Sequence, residues 1–354
     1  MSQQIRVLII EDSAFMRREL TKIINASDNL VVVGAAIDAE DGIEMAKKMA
    51  PDVITIDVNL PGMDGITCLQ HIMIETPKPC VMISAYTKRD SIETFEALEL
   101  GAVDFVQKPS GEISKDIWHL NEEIQTKLKM AAKANLNALT RFSPISINQQ
   151  FFDQTDGKTP DKIVVMGVST GGPRTMMHII PKIPEDIGVP ILLIQHMPRK
   201  FTRNYAERLN QYSQIHVKEA EHGEPLQNNV VYVAQGERNL IVKTQNNKTK
   251  IALEMPATDD LYVPSVNKSL NSAIDVFKDR CIGIILTGMG DDGSSAMQRL
   301  FYTGGHTIAE SEETAVIFGM PQEVIKIGAV KDIAPAHEIA KKIELAIKKM
   351  NNKY

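Results

Sequence analysis

The sequence predicts two α/β domains in tandem, and three observations predict it. Short apolar runs of strand length alternate with helix-period stretches over roughly the first 110 residues. A polar stretch, 134–160, rich in Asn, Gln, Ser and Thr with Pro144, Gly157 and Pro160, interrupts the pattern. A second alternation then runs from Ile163 to Met350. At 354 residues the chain is also too long for one typical core.

In the first half, Ile5–Ile10, Leu30–Ala36, Val53–Ile56, Cys80–Ile83 and Asp104–Val106 read as strands. Phe15–Ile24, Ile43–Met49, Ile66–Ile74 and Ile92–Leu100 carry helix-period apolar residues, and a last helix follows from about Ile113. The strands are continuously apolar rather than alternating, so both faces of the sheet are covered and the sheet is parallel. The expected boundaries are 1–122 for this (βα)5 unit, 123–160 for a helix end and linker, and 161–350 for the second domain. Phe142, Phe151 and Phe152 give the linker a chance to pack on a domain surface.

In the second half the strand candidates are Ile163–Gly167, Ile191–Gln195, Val217–Glu219, Val230–Ala234, Leu240–Thr244, Lys250–Leu253, Ile282–Leu286 and His306–Ala309. Helices fit Pro173–Ile180, Arg199–Asn210, Val266–Phe277, Ser294–Tyr302, Pro321–Ile327 and Pro335–Met350. Turn signals at "HGEPLQNN" and "TQNNKT" make the 217–253 stretch read as antiparallel. The remainder reads as a doubly wound, mostly parallel sheet.

The net charge of −6 argues against a dedicated nucleic-acid binder. A DNA-binding output would need a small module with a basic recognition helix. The second half is instead a large α/β domain whose basic run, "AKKIELAIKKMNNK", reads as the solvated face of its last helix. Cys68, Cys80 and Cys281 lack metal or redox spacing and read as buried reduced thiols. The start "MSQQIRVLIIEDS" has no secretory pattern, and no apolar run approaches the roughly 18 residues that span a bilayer. These features predict a cytoplasmic protein without membrane insertion.

Ligands of open parallel sheets collect outside the carboxyl ends of the strands. In the first domain those ends carry Glu11 and Asp12, Asp57, Ser84 and Lys108. Three clustered carboxylates raise one another's pKa unless a cation sits among them, and a hard divalent ion such as Mg²⁺ suits oxygen ligands. Asp57, ending "VITID", is the central carboxylate and the candidate phosphoryl acceptor. Lys108 would pair with the added oxygens and Ser84 would hydrogen-bond one of them. The runs "VLIIEDSAFMR", "DVITIDVNLPGMDG", "VMISAYT" and "GAVDFVQKP" resemble a response-regulator receiver domain, which is flavodoxin-like, over residues 1 to about 122. The resemblance implies Mg²⁺ held by Glu11, Asp12, Asp57 and the Asn59 carbonyl. It also implies phosphorylation of Asp57 by a histidine kinase, with Ser84, Phe105 and Lys108 as switch residues.

In the second domain "KIVVMGVSTGGPRT" breaks a strand into G-x-S-x-G before a helix, the setting of a nucleophilic serine, here Ser169. A serine needs a general base. His196 directly follows the apolar run "ILLIQ", at another strand's carboxyl end, whereas the other histidines lack that context. The glycine-rich "CIGIILTGMGDDGSS" offers Asp291 and Asp292 as the orienting acid, and spacing alone leaves both open. Main-chain N–H groups near Met289 and Gly290 could help hold an oxyanion. The order Ser–His–Asp differs from that of the α/β-hydrolases, so the elbow pattern does not indicate that fold.

"GVSTGGP", "QHMPRKFTRNYAERLN", "ILTGMGDDG" and "AVIFGMP" resemble the catalytic domain of the chemotaxis protein-glutamate methylesterases, from about 161 to 350. The resemblance implies Ser169 as nucleophile, His196 as base, Asp292 as acid and Met289 as an oxyanion donor, with no cofactor for the esterase. It implies methyl-accepting chemoreceptors as substrate, a chemotaxis histidine kinase as phosphodonor, and deamidation of receptor glutamines as a second activity. Gln235, Asn239 and Asn267 depart from residues frequent in the family and put substrate preference in question. Two rivals predict different outcomes: a phosphorylation-dependent docking protein without catalysis, and a receiver-controlled hydrolase of another ester or amide. The expected regulation is an unphosphorylated receiver that packs over the esterase site. Full switching would need about 5.5 kcal/mol of differential stabilisation.

Overall fold

Each half of the alternation folds into its own parallel sheet. A computed structural model describes residues 4–84, 88–109, 117–140, 159–246 and 248–352. The chain divides into two units, Met1–Arg141 and Phe142–Tyr354.

The first unit comprises β1 (Ile5–Ile10), α1 (Ala14–Asn25), β2 (Leu30–Ala36), α2 (Ala39–Met49), β3 (Val53–Asp57), α3 (Gly65–Glu75), β4 (Cys80–Ser84), α4 (Lys88–Leu100), β5 (Asp104–Gln107), α5 (Asn121–Ala131) and α6 (Leu136–Thr140). Its five strands are all parallel, in the order β2-β1-β3-β4-β5. β-branched residues fill β1 and β3, and the interior of both is buried. α1 turns Met16, Leu20, Ile23 and Ile24 onto the sheet. Side chains start the helices: Ser13 accepts from Met16 N, Asp38 from Asp41 N and Asp64 from Thr67 N. Strand order reverses between β1 and β3, so the crevice for a ligand lies between Glu11 and Asp57.

The second unit comprises β6 (Ile163–Val168), α7 (Gly172–Ile179), β7 (Ile191–Gln195), α8 (Arg199–Tyr212), β8 (His216–Glu219), β9 (Val230–Val233), β10 (Asn239–Gln245), β11 (Lys248–Glu254), α9 (Val266–Phe277), β12 (Cys281–Ile285), α10 (Ser294–Thr303), β13 (His306–Glu310), α11 (Met320–Lys326), β14 (Asp332–Ala334) and α12 (Ala336–Asn351). Seven of these strands form a parallel sheet in the order β14-β13-β12-β6-β7-β9-β8. The order reverses between β6 and β12, and the loops after these two strands carry Ser169 and Asp292. Leu270, Ile274 and Phe277 of α9 and Met297 and Leu300 of α10 cover one face.

Three sequence expectations need adjustment. Among the described residues β10 and β11 are the one antiparallel pair of strands; β8 and β9, read as part of the same antiparallel stretch, pair parallel at the sheet edge. The turn-rich segment between them does not reverse tightly. It pairs with β11 through Gly223 N to Ile251 O and Leu226 N to Thr249 O, and returns the chain in the starting direction. β14 is a three-residue strand, too short to show a period. The stretch read as starting the linker opens with α6, whose Ala138 and Leu139 are buried. Phe142, Phe151, Phe152 and the start of the helix expected from Ile113 lie outside the described residues. All three cysteines are buried, and burial pushes the Cys68 thiol up to about 12. Among the described residues no helix is long and apolar enough to cross a membrane.

Candidate functional site

β1 and β3 end side by side, and their register brings Glu11 next to Asp57. Glu11, Asp12 and Asp57 each offer a carboxylate oxygen, and these oxygens lie within 4.8 Å of one another. Lys108, following β5, is buried and donates from Nζ to Asp57 Oδ2 at 2.8 Å; Nζ also lies 3.1 Å from Glu11 Oε2. Burial pushes the Glu11 carboxyl up to about 7, with the Asp57 charge adding and Lys108 opposing. Burial likewise raises Asp57 against the pull of Lys108 and the Asn59 N–H. Lys108 is raised: burial alone would lower it, but the Asp57 and Glu11 charges win. Asp57 Oδ1 is buried and lacks a well-formed hydrogen bond among the described residues. An oxygen-only donor set, with the Glu11 and Asp57 carboxyls pushed up by burial and Asp57 Oδ1 lacking such a bond, fits a hard divalent cation such as Mg²⁺.

Ser84 ends β4, is fully buried, and accepts from Thr94 Oγ1 at 3.0 Å. Lys108 N donates to Ser84 O at 2.8 Å, so the two residues share one edge. Phe105 lies buried in β5 with Lys127 Nζ 5.1 Å from its ring centre. Asn59 follows β3 in the loop leading to α3.

In the second unit the registers bring three loops together. Val168 pairs with Gln195, so Ser169 and His196 are the next residues on adjacent strands. Ser169 N donates to Thr287 O, and His196 N to Val168 O. His196 Nε2 bonds Asp292 Oδ2 at 2.9 Å. Gly171, at φ +78, starts α7; a Cβ there would meet Val316 Cβ at 2.5 Å. Gly288 is needed for close approach, since its Cβ would lie 2.7 Å from Ser169 Cβ.

Asp292 is almost fully buried at the start of α9. Oδ2 accepts from Val266 N at 2.7 Å, and Oδ1 from Asn267 N at 3.0 Å and Ser265 Oγ at 3.1 Å. Burial pushes this carboxyl up, but the His196 bond and charge and the Asn267 and Val266 N–H groups overcome it. The carboxyl sits below its usual range. The helix start that supplies these donors favours the negative charge. Asp291, the alternative that spacing left open, is exposed and bonds neither His196 nor the α9 start. Among the described residues neither the Ser169 hydroxyl nor Met289 N makes a hydrogen bond.

Two contributors, Tyr262 and Gln195, escaped the sequence reading. Tyr262 stacks on His196, ring centres 5.1 Å apart and planes 9° from parallel. Gln195 Nε2 donates to both Ser169 O and His196 O, tying the two loops together. It stood out only as a polar residue closing an apolar run. Asn239 is buried: its Oδ1 accepts from Ser265 N and its Nδ2 donates to Asp260 Oδ2. Asn267 Oδ1 accepts from Ala296 N and Ser295 Oγ at the start of α10. Asn239 and Asn267, two of the three departures from the family pattern, therefore contact the frame around Asp292.

The comparisons agree with this architecture. Residues 164–343 match the family model "CheB methylesterase" and residues 7–115 match "Response regulator receiver domain". A Carboxydothermus hydrogenoformans protein named protein-glutamate methylesterase/protein-glutamine glutaminase 2 is 43% identical over 347 residues, covering 96% of this chain and 98% of that one. An Archaeoglobus fulgidus protein named protein-glutamate methylesterase/protein-glutamine glutaminase is 41% identical, covering 96% and 97%. The crystal structure of the Thermotoga maritima CheB methylesterase catalytic domain matches 52% of this chain and 97% of its own, at 42% identity and a TM-score of 0.51. This chain belongs to the CheB methylesterase family, with a response-regulator receiver domain preceding the methylesterase domain.

Proposed function

We propose that the chain is a phosphorylation-activated serine esterase that removes methyl groups from γ-glutamyl methyl esters of chemoreceptors, in the cytoplasm, during sensory adaptation. The observation that carries this reading is the His196–Asp292 hydrogen bond at the strand edge where Ser169 follows the neighbouring strand β6.

Ser169 Oγ attacks the ester carbonyl carbon and gives its proton to His196. Because Nε2 faces Asp292, Nδ1 is the nitrogen that accepts it. Asp292 fixes that tautomer and stabilises the imidazolium. The Met289 N–H supplies a donor to the oxyanion. His196 then protonates the departing methoxide, methanol leaves, and water attacks the acyl carbonyl by the reverse sequence to free the glutamate and Ser169. Deamidation of receptor glutamine follows the same steps with ammonia as the leaving group.

Control lies in the receiver. Asp57 takes a phosphoryl group from a chemotaxis histidine kinase, Lys108 pairs with the new charge and the Ser84 hydroxyl bonds a phosphoryl oxygen. Glu11, Asp12, Asp57 and the Asn59 carbonyl would hold Mg²⁺, which supplies charge neutralisation at the phosphoryl oxygens. The switching contribution of Phe105 belongs to the same proposal.

With Mg²⁺ and a small acyl phosphate, the full chain is expected to gain esterase activity at least severalfold, and Asp57→Asn is expected to stay at the basal rate. Mass spectrometry of the intact chain reads the accompanying phosphoryl adduct. Activation of Asp57→Asn equal to wild type would refute the assignment. A 155–354 fragment is expected to run faster than the unphosphorylated full chain; an equal or slower fragment would remove the idea that the receiver restrains the esterase.

A further inference from the structure

The strand-end rule that singles out Glu11 and Asp57 also singles out a carboxylate that the proposed chemistry leaves unused. Glu310 closes β13, the strand beside β12, and is completely buried. Oε2 accepts from Thr287 N at 2.8 Å and Oε1 from Thr314 Oγ1 at 2.9 Å. Burial pushes the carboxyl up to about 7, opposed by the Thr287 N–H and the Thr314 hydroxyl.

Thr287 is the hub of the loop that carries Met289. Its carbonyl accepts from Ser169 N at 3.0 Å. Its hydroxyl donates to Thr170 O at 2.9 Å and accepts from Ile317 N at 2.9 Å. Gly288 N donates to Ile317 O, while Gly288 O accepts from Gly319 N and Met320 N. The polar groups of Thr287 and Gly288 are therefore all tied down, and the Thr287 N–H is tied by Glu310.

We infer that Glu310 is a positioning residue for the oxyanion loop: its buried side-chain oxygen anchors the Thr287 amide and thereby sets the Thr287–Gly288–Met289 peptides against Ser169. The inference rests on the esterase reading for its catalytic consequence, but not for the anchor itself. It acts through hydrogen-bond acceptance rather than charge, because the protonated carboxyl still offers Oε2 to Thr287 N. A glutamine of the same shape therefore serves, with its carbonyl on Thr287 N and its NH2 group on the Thr314 hydroxyl oxygen. A methionine of similar length is a far weaker acceptor, and an aspartate is too short to reach.

The test uses the full chain, with hydrolysis of p-nitrophenyl acetate as the probe and Ser169→Ala as the blank. Losing an oxyanion donor outright costs about 10²–10³-fold, so a donor left in place on a loosened loop is expected to lose about tenfold. Glu310→Met is expected to lower kcat about tenfold with KM within twofold, and Glu310→Gln to restore kcat to within about threefold of wild type. If Glu310→Met does not fold, Glu310→Asp is expected to show the same loss of kcat. Amide exchange at Thr287 is read on the same variants and requires no turnover. It is expected to accelerate in the Met or Asp variant and to stay slow in the Gln variant. Unchanged kcat and exchange in a folded Met or Asp variant would overturn the inference, as would a Gln variant no better than Met. A wild type without Ser169-dependent hydrolysis would instead overturn the esterase reading and the catalytic half of this one, while the exchange data would still decide the anchor.

Discussion

Ser169→Ala is expected to lower kcat on an ester substrate by about 10⁶-fold while leaving the fold intact. The loss is large because nucleophile, base and acid act as one unit, and removing the nucleophile leaves only binding and oxyanion stabilisation. The stability change should stay within about 0.5 kcal/mol, since the hydroxyl makes no hydrogen bond among the described residues and is not fully buried. Single-turnover kinetics and a thermal melt check both halves. A variant that unfolds, or that keeps more than about a hundredth of the activity, contradicts the assignment of Ser169. A docking protein without catalysis would be indifferent to the change.

Asp292→Asn carries the second large effect, and here activity and stability both fall. Four donors converge on the carboxylate: His196 Nε2, Val266 N, Asn267 N and Ser265 Oγ. An amide replaces one acceptor oxygen by an NH2 group. Turned toward His196, it opposes Val266 N and forces the proton onto Nδ1, where the serine proton must go. Turned the other way, it opposes the Asn267 N–H and the Ser265 hydroxyl. The first arrangement removes the base, for a loss of about 10⁴-fold in kcat. Either leaves a buried donor unpaired, at about 1–3 kcal/mol. The effect has a defined pH window. The folded carboxyl lies below its unfolded value of 3.8. Its contribution is therefore present above that value and is lost as pH falls through the lower folded value. The difference in melting temperature between wild type and Asp292→Asn should be full at pH 7 and shrink only in strong acid. A constant difference down to pH 2 would contradict the proposed electrostatics.

Much of this was legible in the sequence because both sheets are parallel. Parallel strands are buried on both faces and gather their functional groups at one edge, so reading the residue after each apolar run amounts to reading the site. That is how Glu11, Asp57, Lys108, Ser169 and His196 stood out. The same rule would have found Glu310 had the end of "HTIAE" been weighed like the end of "VITID". Between Asp291 and Asp292, spacing had nothing to say: only the backbone's turn decides which carboxylate meets the start of α9. Tyr262 was invisible for a similar reason. It stacks on His196 from a loop with no period of its own, and an aromatic residue in such a loop carries no signal of its target. The parallel pairing of β8 with β9 was missed because Gly and Asn mark a turn without saying whether the chain reverses or detours. In this chain the detour is held by β11, whose contacts lie far along the sequence.

The central claim is that Ser169, His196 and Asp292 together hydrolyse a γ-glutamyl methyl ester. The most direct measurement is methanol release from a methylated chemoreceptor cytoplasmic fragment, with the phosphodonor-treated full chain and its Ser169→Ala variant run in parallel. The expected result is one methanol per new glutamate carboxylate, from the wild-type chain alone. Hydrolysis of a simple ester by Ser169 without any methanol from the receptor fragment would contradict the substrate, and equal release by the variant would contradict the mechanism.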